Sequence, residues 1–228
     1  GYSFILIESI GNNSCSLLSS ANSQTKGILR DAGKDLFLIN SIATEMFGTI
    51  YKTKEQYTEK LIGNQTTYKD FICHRIEKNI GFIEKSLFFS KFQMSTIKRI
   101  LQSEAFSRHI SNMKQGYLAH GDYNLEHIFH HKGSYTGVID FGDAKTAPKG
   151  YDLAYFKISN PNYFDYMHAG YIEASGVSSC FYEDPILVFL VGIRILASVF
   201  ENSQINSRED YRFQAFLHEL DVLSHSFN

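Results

Sequence analysis

Leu118-Ala-His-Gly-Asp-Tyr-Asn-Leu-Glu-His127, followed by Gly137-Val-Ile-Asp-Phe-Gly-Asp143, is the pair of segments on which the fold of this 228-residue chain is read. In the first, Asp122 sits on a short loop after an apolar run, with the small Gly121 beside it. In the second, Asp140 ends a β-type run, Tyr135 to Ile139, and is followed by Phe141-Gly142. His127 comes five residues after Asp122, and Asp140 eighteen after it. A carboxylate on a strand-following loop can orient a hydroxyl and take its proton. A carboxylate at a strand end is a hard oxygen ligand of the kind magnesium prefers. Gly142 is expected to let the backbone turn sharply where a β-carbon would crowd a metal and phosphates. His127 is softer than an amide oxygen and is more at home with zinc or manganese, but can also touch magnesium, bond a phosphate or orient Asp122.

The rest of the chain frames this motif. Tyr2 to Ile7 reads as a buried strand, and Gly11 to Ser14 as a turn-rich loop. Helices are expected over Gln24 to Phe47, Thr67 to Ile80 and Ser95 to Met113, with Gly48 and Gly81 as stop signals and Ser95 as an N-cap. Tyr51 to Asn64 reads as a polar loop with a short helix. Short strands follow at Tyr117 to Ala119, Ile128 to His130 and Tyr135 to Ile139, the last two joined by a hairpin turn at His131 to Ser134. From Gly150 onward the pattern is helical: Tyr151 to Lys157, Tyr163 to Ala174, Pro185 to Phe200 and Arg208 to Ser224. The fold class is therefore α+β, helices around a small β patch that carries the polar motif.

Composition excludes several function classes. A net charge of −2 argues against a nucleic-acid partner bound by bulk electrostatics. The longest apolar stretch, Pro185 to Phe200, is short for a membrane span and is interrupted by Arg194, so no membrane partner is expected. Three cysteines, Cys15, Cys73 and Cys180, form no CxxC pair and fit free thiols in a reducing cytoplasm. No signal peptide is read in Gly1 to Ile10. His130 and His131 read as exposed turn residues, His120 as a buried histidine bonding backbone around the loop, and Asp143 and Asp152 as structural.

At His120-Gly-Asp-Tyr-Asn-Leu-Glu-His-Ile-Phe129, Gly137-Val-Ile-Asp-Phe-Gly-Asp-Ala144 and Tyr151-Asp-Leu-Ala-Tyr155 the chain resembles the aminoglycoside phosphotransferase and choline kinase-like family. The resemblance implies a protein kinase-like fold, mostly its helical C-terminal lobe. It implies ATP (or GTP) and Mg²⁺ as cofactors and a hydroxyl-bearing small molecule as acceptor. It makes Asp122 the catalytic residue and places His127 and Asp140 at the metal-ligand positions. Histidine at the first of these looks like the aminoglycoside 2″-phosphotransferase branch, an antibiotic-resistance activity. Residues 1–14 resemble the hinge strand of the nucleotide-binding lobe, in which Ser3, Phe4, Ile5, Leu6, Ile7 and Glu8 would contact adenine. Residues 15–228 would form the catalytic and substrate lobe.

No Gly-rich loop or strand lysine precedes Tyr2, so the chain is expected to be a truncated kinase with weak activity as it stands. Two alternatives stay open. One is a noncatalytic, pseudokinase-like binding protein. The other is a metal-dependent hydrolase with His120, Asp122, His127 and Asp140 around a transition metal. Two departures from the family pattern are Asn40, where many relatives carry His, and Pro148-Lys149 before Tyr151. Candidate carboxylates for a polycationic acceptor are Asp165, Glu173, Glu183, Asp184 and Glu201, and Tyr155, Tyr163 and Tyr166 could stack on a sugar.

Overall fold

The computed structural model describes residues 13–17, 22–50, 61–177, 184–205 and 207–226. The hinge reading of Ser3 to Glu8 lies outside them, as do Glu183 and Cys180. The first helix, α1, is Ser23–Ile39, capped by Asn22, whose side chain accepts from the Thr25 amide. It ends at Asn40, well short of Phe47. Residues that carry a helical apolar spacing instead form β2 (Ala43–Thr44) and β3 (Phe47–Ile50). These strands pair with β5 (Gly116–Ala119) and β8 (Lys145–Ala147), giving the order β2-β5-β8-β3-β4 with β4 at Gly63–Gln65. Long-range strand pairing overrode local periodicity here. Gly48 lies within β3 and caps no helix.

The other two expected helices also differ. α2 runs Tyr68–Ser86, through Gly81, and stops at Leu87 in the left-handed region. A β-carbon at Gly81 would meet nothing within 4 Å, so this glycine weakens the helix without ending it. The segment read as one helix from Ser95 is two, α3 (Lys91–Gln102) and α4 (Glu104–Asn112). Their caps are Ser90, in a capping box with Gln93, and Ser103.

A second, three-stranded sheet orders β1 (Asn13–Ser14), β6 (Ile128–His131) and β7 (Ser134–Val138). Lys132 (φ 48°) and Gly133 (φ 86°) make its hairpin turn, as the sequence suggests. His131 is exposed, but His130 is a buried strand residue rather than a turn residue. The C-terminal half contains α5 (Tyr151–Ser159), α6 (Phe164–Ser175), α7 (Pro185–Glu201) and α8 (Tyr211–Ser226). α7 is buried along nearly its whole length and packs against α2, α5 and α8. α1 packs on α6, where a β-carbon at Gly33 would overlap the Met167 carbonyl and one at Gly170 would overlap that of Arg30. The glycine in the middle of α1 is therefore a contact requirement. Among the described residues no helix is long and apolar enough to cross a membrane.

The start of α7 carries a titratable clamp. Asp184 Oδ1 accepts from the amides of Ile186 (3.0 Å) and Leu187 (3.2 Å), and its Oδ2 lies 2.6 Å from His109 Nε2. The hydrogen bond to Asp184 raises the His109 pKa above its ordinary 6.5, against the opposing effect of burial. A raised folded-state pKa contributes stability that is fully present below the unfolded pKa and is lost as pH climbs through the folded one. His109→Gln is therefore expected to narrow its stability deficit against wild type as urea midpoints are taken from about pH 6 to about pH 9. A deficit that stays constant across that span would refute the linkage.

Candidate active site

Asp122, His127 and Asp140 meet at the join between the two sheets. His127 Nδ1 lies 2.8 Å from the backbone oxygen of Asp122. A carbonyl only accepts, so Nδ1 carries the proton and donates it. That leaves the lone pair on Nε2, which lies 3.7 Å from Asp140 Oδ2. His127 Nδ1 is also 3.8 Å from Asp122 Oδ2, so the imidazole sits between the two carboxylates. Octahedral magnesium bonds of about 2.1 Å separate adjacent ligands by about 3 Å and opposite ones by about 4.2 Å. The observed Nε2–Oδ2 spacing falls between those limits, so this pair fits a magnesium ion completed by phosphate and water oxygens.

Asp140 itself adopts the left-handed backbone (φ 65°, ψ 63°), and its Oδ1 accepts from the Gly142 amide at 3.2 Å. The sharp turn expected of Gly142 is thus made by Asp140, a residue type that tolerates this conformation. Gly142 contributes clearance only: a β-carbon there would sit 3.0 Å from Asp140 Oδ1.

The loop around Asp122 is held from beneath. His120 is fully buried, with Nε2 2.8 Å from the Ile139 carbonyl and Nδ1 3.4 Å from the Asp122 amide. Nε2 therefore donates and Nδ1 accepts, and both ring nitrogens are engaged. His120 ties the two motif segments together and presents no lone pair to a metal. The four-ligand hydrolase site loses a member on this ground, and although His127 stands between Asp122 and Asp140, no three His, Cys, Asp or Glu side chains among the described residues converge as one ligand set.

Asp152 is fully buried and accepts from the amides of His120 (2.8 Å) and Gly121 (2.9 Å) and from Asn40 Nδ2 (2.9 Å). Asn40 Nδ2 also reaches the Leu118 carbonyl at 3.0 Å. Asn40, one of the departures from the family pattern, thus bridges Asp152 and the strand leading to the Asp122 loop. Gly121 has φ 88°, and a β-carbon there would overlap the Asp143 carbonyl and Lys145 Cε. Only glycine lets the two loops approach this closely.

Four residues around Asp122 were not singled out from sequence for these contacts. Tyr155 donates its phenol proton to Asp122 Oδ1 at 2.5 Å, and Asn124 Nδ2 donates to the same oxygen at 3.1 Å. Burial, reinforced by Asp122, raises the Tyr155 pKa well above the ordinary value, so the phenol stays a donor. Arg194, the interruption in the apolar α7, donates from Nη1 to the Gly121 carbonyl and to the Tyr151 hydroxyl. Lys145 is buried and lies 5.6 Å over the Tyr151 ring. Desolvation, with Arg194 adding to it, lowers its pKa to about 8. A lone charge inside an apolar helix was the one available signal for Arg194.

The groove in front of Asp122 has a volume of about 1040 Å³ and is walled by α2, α5, α7 and α8. Tyr155 and Tyr163 line it, whereas Tyr166 lies under Lys26 instead. Of the four acceptor carboxylates on described residues, only Glu201 lines the groove, paired with Lys78 at 3.2 Å. Glu173 pairs with Arg30, Asp184 caps α7, and Asp165 is not part of the wall.

The family model described as the phosphotransferase enzyme family matches residues 86–176. No curated protein sequence matches the chain. Among solved structures, a thermostable mutant of aminoglycoside phosphotransferase APH(4)-Ia in ternary complex with AMP-PNP and hygromycin B aligns with TM-score 0.59 at 15% identity, covering 89% of this chain and 65% of its own. A fructosamine-3-kinase homologue from Thermobifida fusca aligns with TM-score 0.52 at 13% identity, covering 91% and 66%. ADP-bound aminoglycoside phosphotransferase APH(2″)-Ib aligns with TM-score 0.51 at 15% identity, covering 98% and 71%. This chain thus spans less than two thirds of the length of the APH(4)-Ia structure. The fold is that of the protein-kinase-like aminoglycoside phosphotransferases, and residues 86–176 carry the phosphotransferase family signature.

Proposed function

We propose that this chain, with the phosphotransferase signature set on a kinase-like fold, transfers the γ-phosphoryl group of ATP (or GTP) to a hydroxyl of a small molecule. The observation that carries the proposal is His127 Nε2 facing Asp140 Oδ2 at 3.7 Å, one imidazole away from Asp122. Asp122 would orient the acceptor hydroxyl through Oδ2, since Oδ1 already accepts from Tyr155 and Asn124. As the acceptor oxygen bonds to the γ-phosphorus, the bond from that phosphorus to the β–γ bridging oxygen breaks. The electron pair leaves with ADP, and the hydroxyl proton passes to Asp122. His127 and Asp140 would hold Mg²⁺, which neutralises phosphate charge when bound. Adenine pairing is assigned to the backbone of Ser3 to Glu8, outside the described residues.

The compartment we propose is the cytoplasm, supported by the free thiols of Cys15 and Cys73. No nucleic acid or membrane partner is part of the proposal.

Calorimetric titration with ATP tests the metal site apart from turnover. Wild type is expected to bind ATP at least about tenfold more tightly with Mg²⁺ than without, from charge-assisted contacts to the metal–phosphate cluster. Asp140→Asn should remove most of that difference. Equal affinity with and without the ion in wild type would favour a noncatalytic binding protein.

A further inference from the structure

The charged residues of the groove are sorted by wall. The carboxylates Asp122, Glu126 and Asp143 sit on the two loops that carry the proposed metal site. The facing helices contribute Arg75 and Lys78 from α2, Arg194 and Glu201 from α7, and Arg212 from α8. Glu201 is taken by Lys78, and Arg212 by Asp210. Arg75 is exposed and makes no ion pair among the described residues. Arg194 uses only Nη1, and among the described residues its Nε and Nη2 have no hydrogen-bond partner. Lys145 Nζ likewise has neither a hydrogen bond nor a carboxylate within ion-pair range there; it lies over the face of Tyr151, with Asp143, Asp152 and Asp122 acting on it from farther off.

Carboxylates act on these two partly or fully buried cations only from a distance, Asp143 on both and Asp122 and Asp152 on Lys145, so their unused donors remain open to a directly bonded anion. A polycationic acceptor would meet them as like charges. We infer that the acceptor is a hydroxylated small molecule bearing an anionic group, a carboxylate or a phosphate, received by Arg194 and Lys145, with Arg75 at the mouth of the groove. This rests on the phosphotransfer reading for the chemistry but not for the binding. Anchoring the anion beside the Gly121 carbonyl would bring a hydroxyl a few bonds away onto Asp122 Oδ2.

Calorimetry on the full chain, without nucleotide or metal, separates the possibilities on one sugar skeleton: glucose, glucuronate, glucose 6-phosphate and glucosamine, with hygromycin B as the polycation. At least one of the two anionic sugars is expected to bind about tenfold or more tightly than glucose, the scale of hydrogen bonds to charged groups. Which of the two does so identifies carboxylate or phosphate. Lys145→Met and Arg194→Met should each abolish the advantage, while Arg194→Lys keeps part of it. Should Arg194→Met fail to fold, Arg75→Glu on the exposed face of α2 carries the comparison and must weaken the anionic sugar by at least a few-fold. Tighter binding of glucosamine or hygromycin B, an advantage untouched by these variants, or no binding by any of the five overturns the inference. ADP release on adding hygromycin B would also overturn it while leaving phosphotransfer standing. Preserved anion binding with no phosphotransfer to any bound sugar would sink the kinase reading alone.

Discussion

Asp122→Asn is expected to lower phosphotransfer turnover by about 10²- to 10⁴-fold, the range of a positioned general base. The amide keeps the shape of the side chain but loses the acceptor that takes the hydroxyl proton. Because Asp122 is only partly buried and its loop is pinned by His120 and Asp152, the melting temperature should change little. Tyr155→Phe offers a graded comparison. It removes the 2.5 Å hydrogen bond to Oδ1 but leaves Asp122 and Asn124 in place, so a loss of roughly tenfold is expected for one charge-assisted bond. The measurement is ADP release at saturating ATP, wild type against both variants. Turnover in Asp122→Asn within about threefold of wild type would remove Asp122 from the chemistry.

Asp152→Ala has the largest expected effect on stability. It leaves the buried amides of His120 and Gly121, and the Asn40 side chain, without their acceptor. Breaking a buried charged network from one side costs about 3–5 kcal/mol. For a domain of this size that corresponds to a fall in Tm of roughly 6–20 °C. Asp152→Asn should also be damaging, since in either amide orientation its NH₂ would face at least one N–H donor. Thermal unfolding followed by circular dichroism decides it: a Tm within about 2 °C of wild type for Asp152→Ala would show that the Asp122 loop is held some other way.

That the motif residues lie close together was legible because they fall in two short segments joined by a hairpin. Asp122, His127 and Asp140 stand at loop and strand-end positions marked by adjacent glycine and apolar runs, and the structure gathers them around one imidazole. The helices from α5 to α8 were legible too, because their apolar content is high and their breaks coincide with Gly150, Gly176 and Pro185. The stretch from Asn40 to Phe47, read as the end of a helix, was misread for a physical reason. Its apolar residues are spaced as on a helix, yet their partners lie about 70 to 100 residues away on β5 and β8. Local spacing carries no information about such partners. The division at Ser103 was missed similarly, as one serine cap is a weak signal inside a continuous apolar pattern.

Sequence alone singled out Asp122, His127 and Asp140, since residue type and loop position mark them as groups suited to a hydroxyl or a hard cation. Tertiary structure alone decided what surrounds them. It is packing that places Arg194 and Lys145 beside Asp122, gives Tyr155 to its carboxylate, and takes Glu173 and Asp184 away to other partners. Charge along a chain shows only that cations and carboxylates exist; which of them face the same groove depends on helices as far apart in sequence as α2 and α7, so the character of the groove emerges only when α2, α5 and α7 close around it.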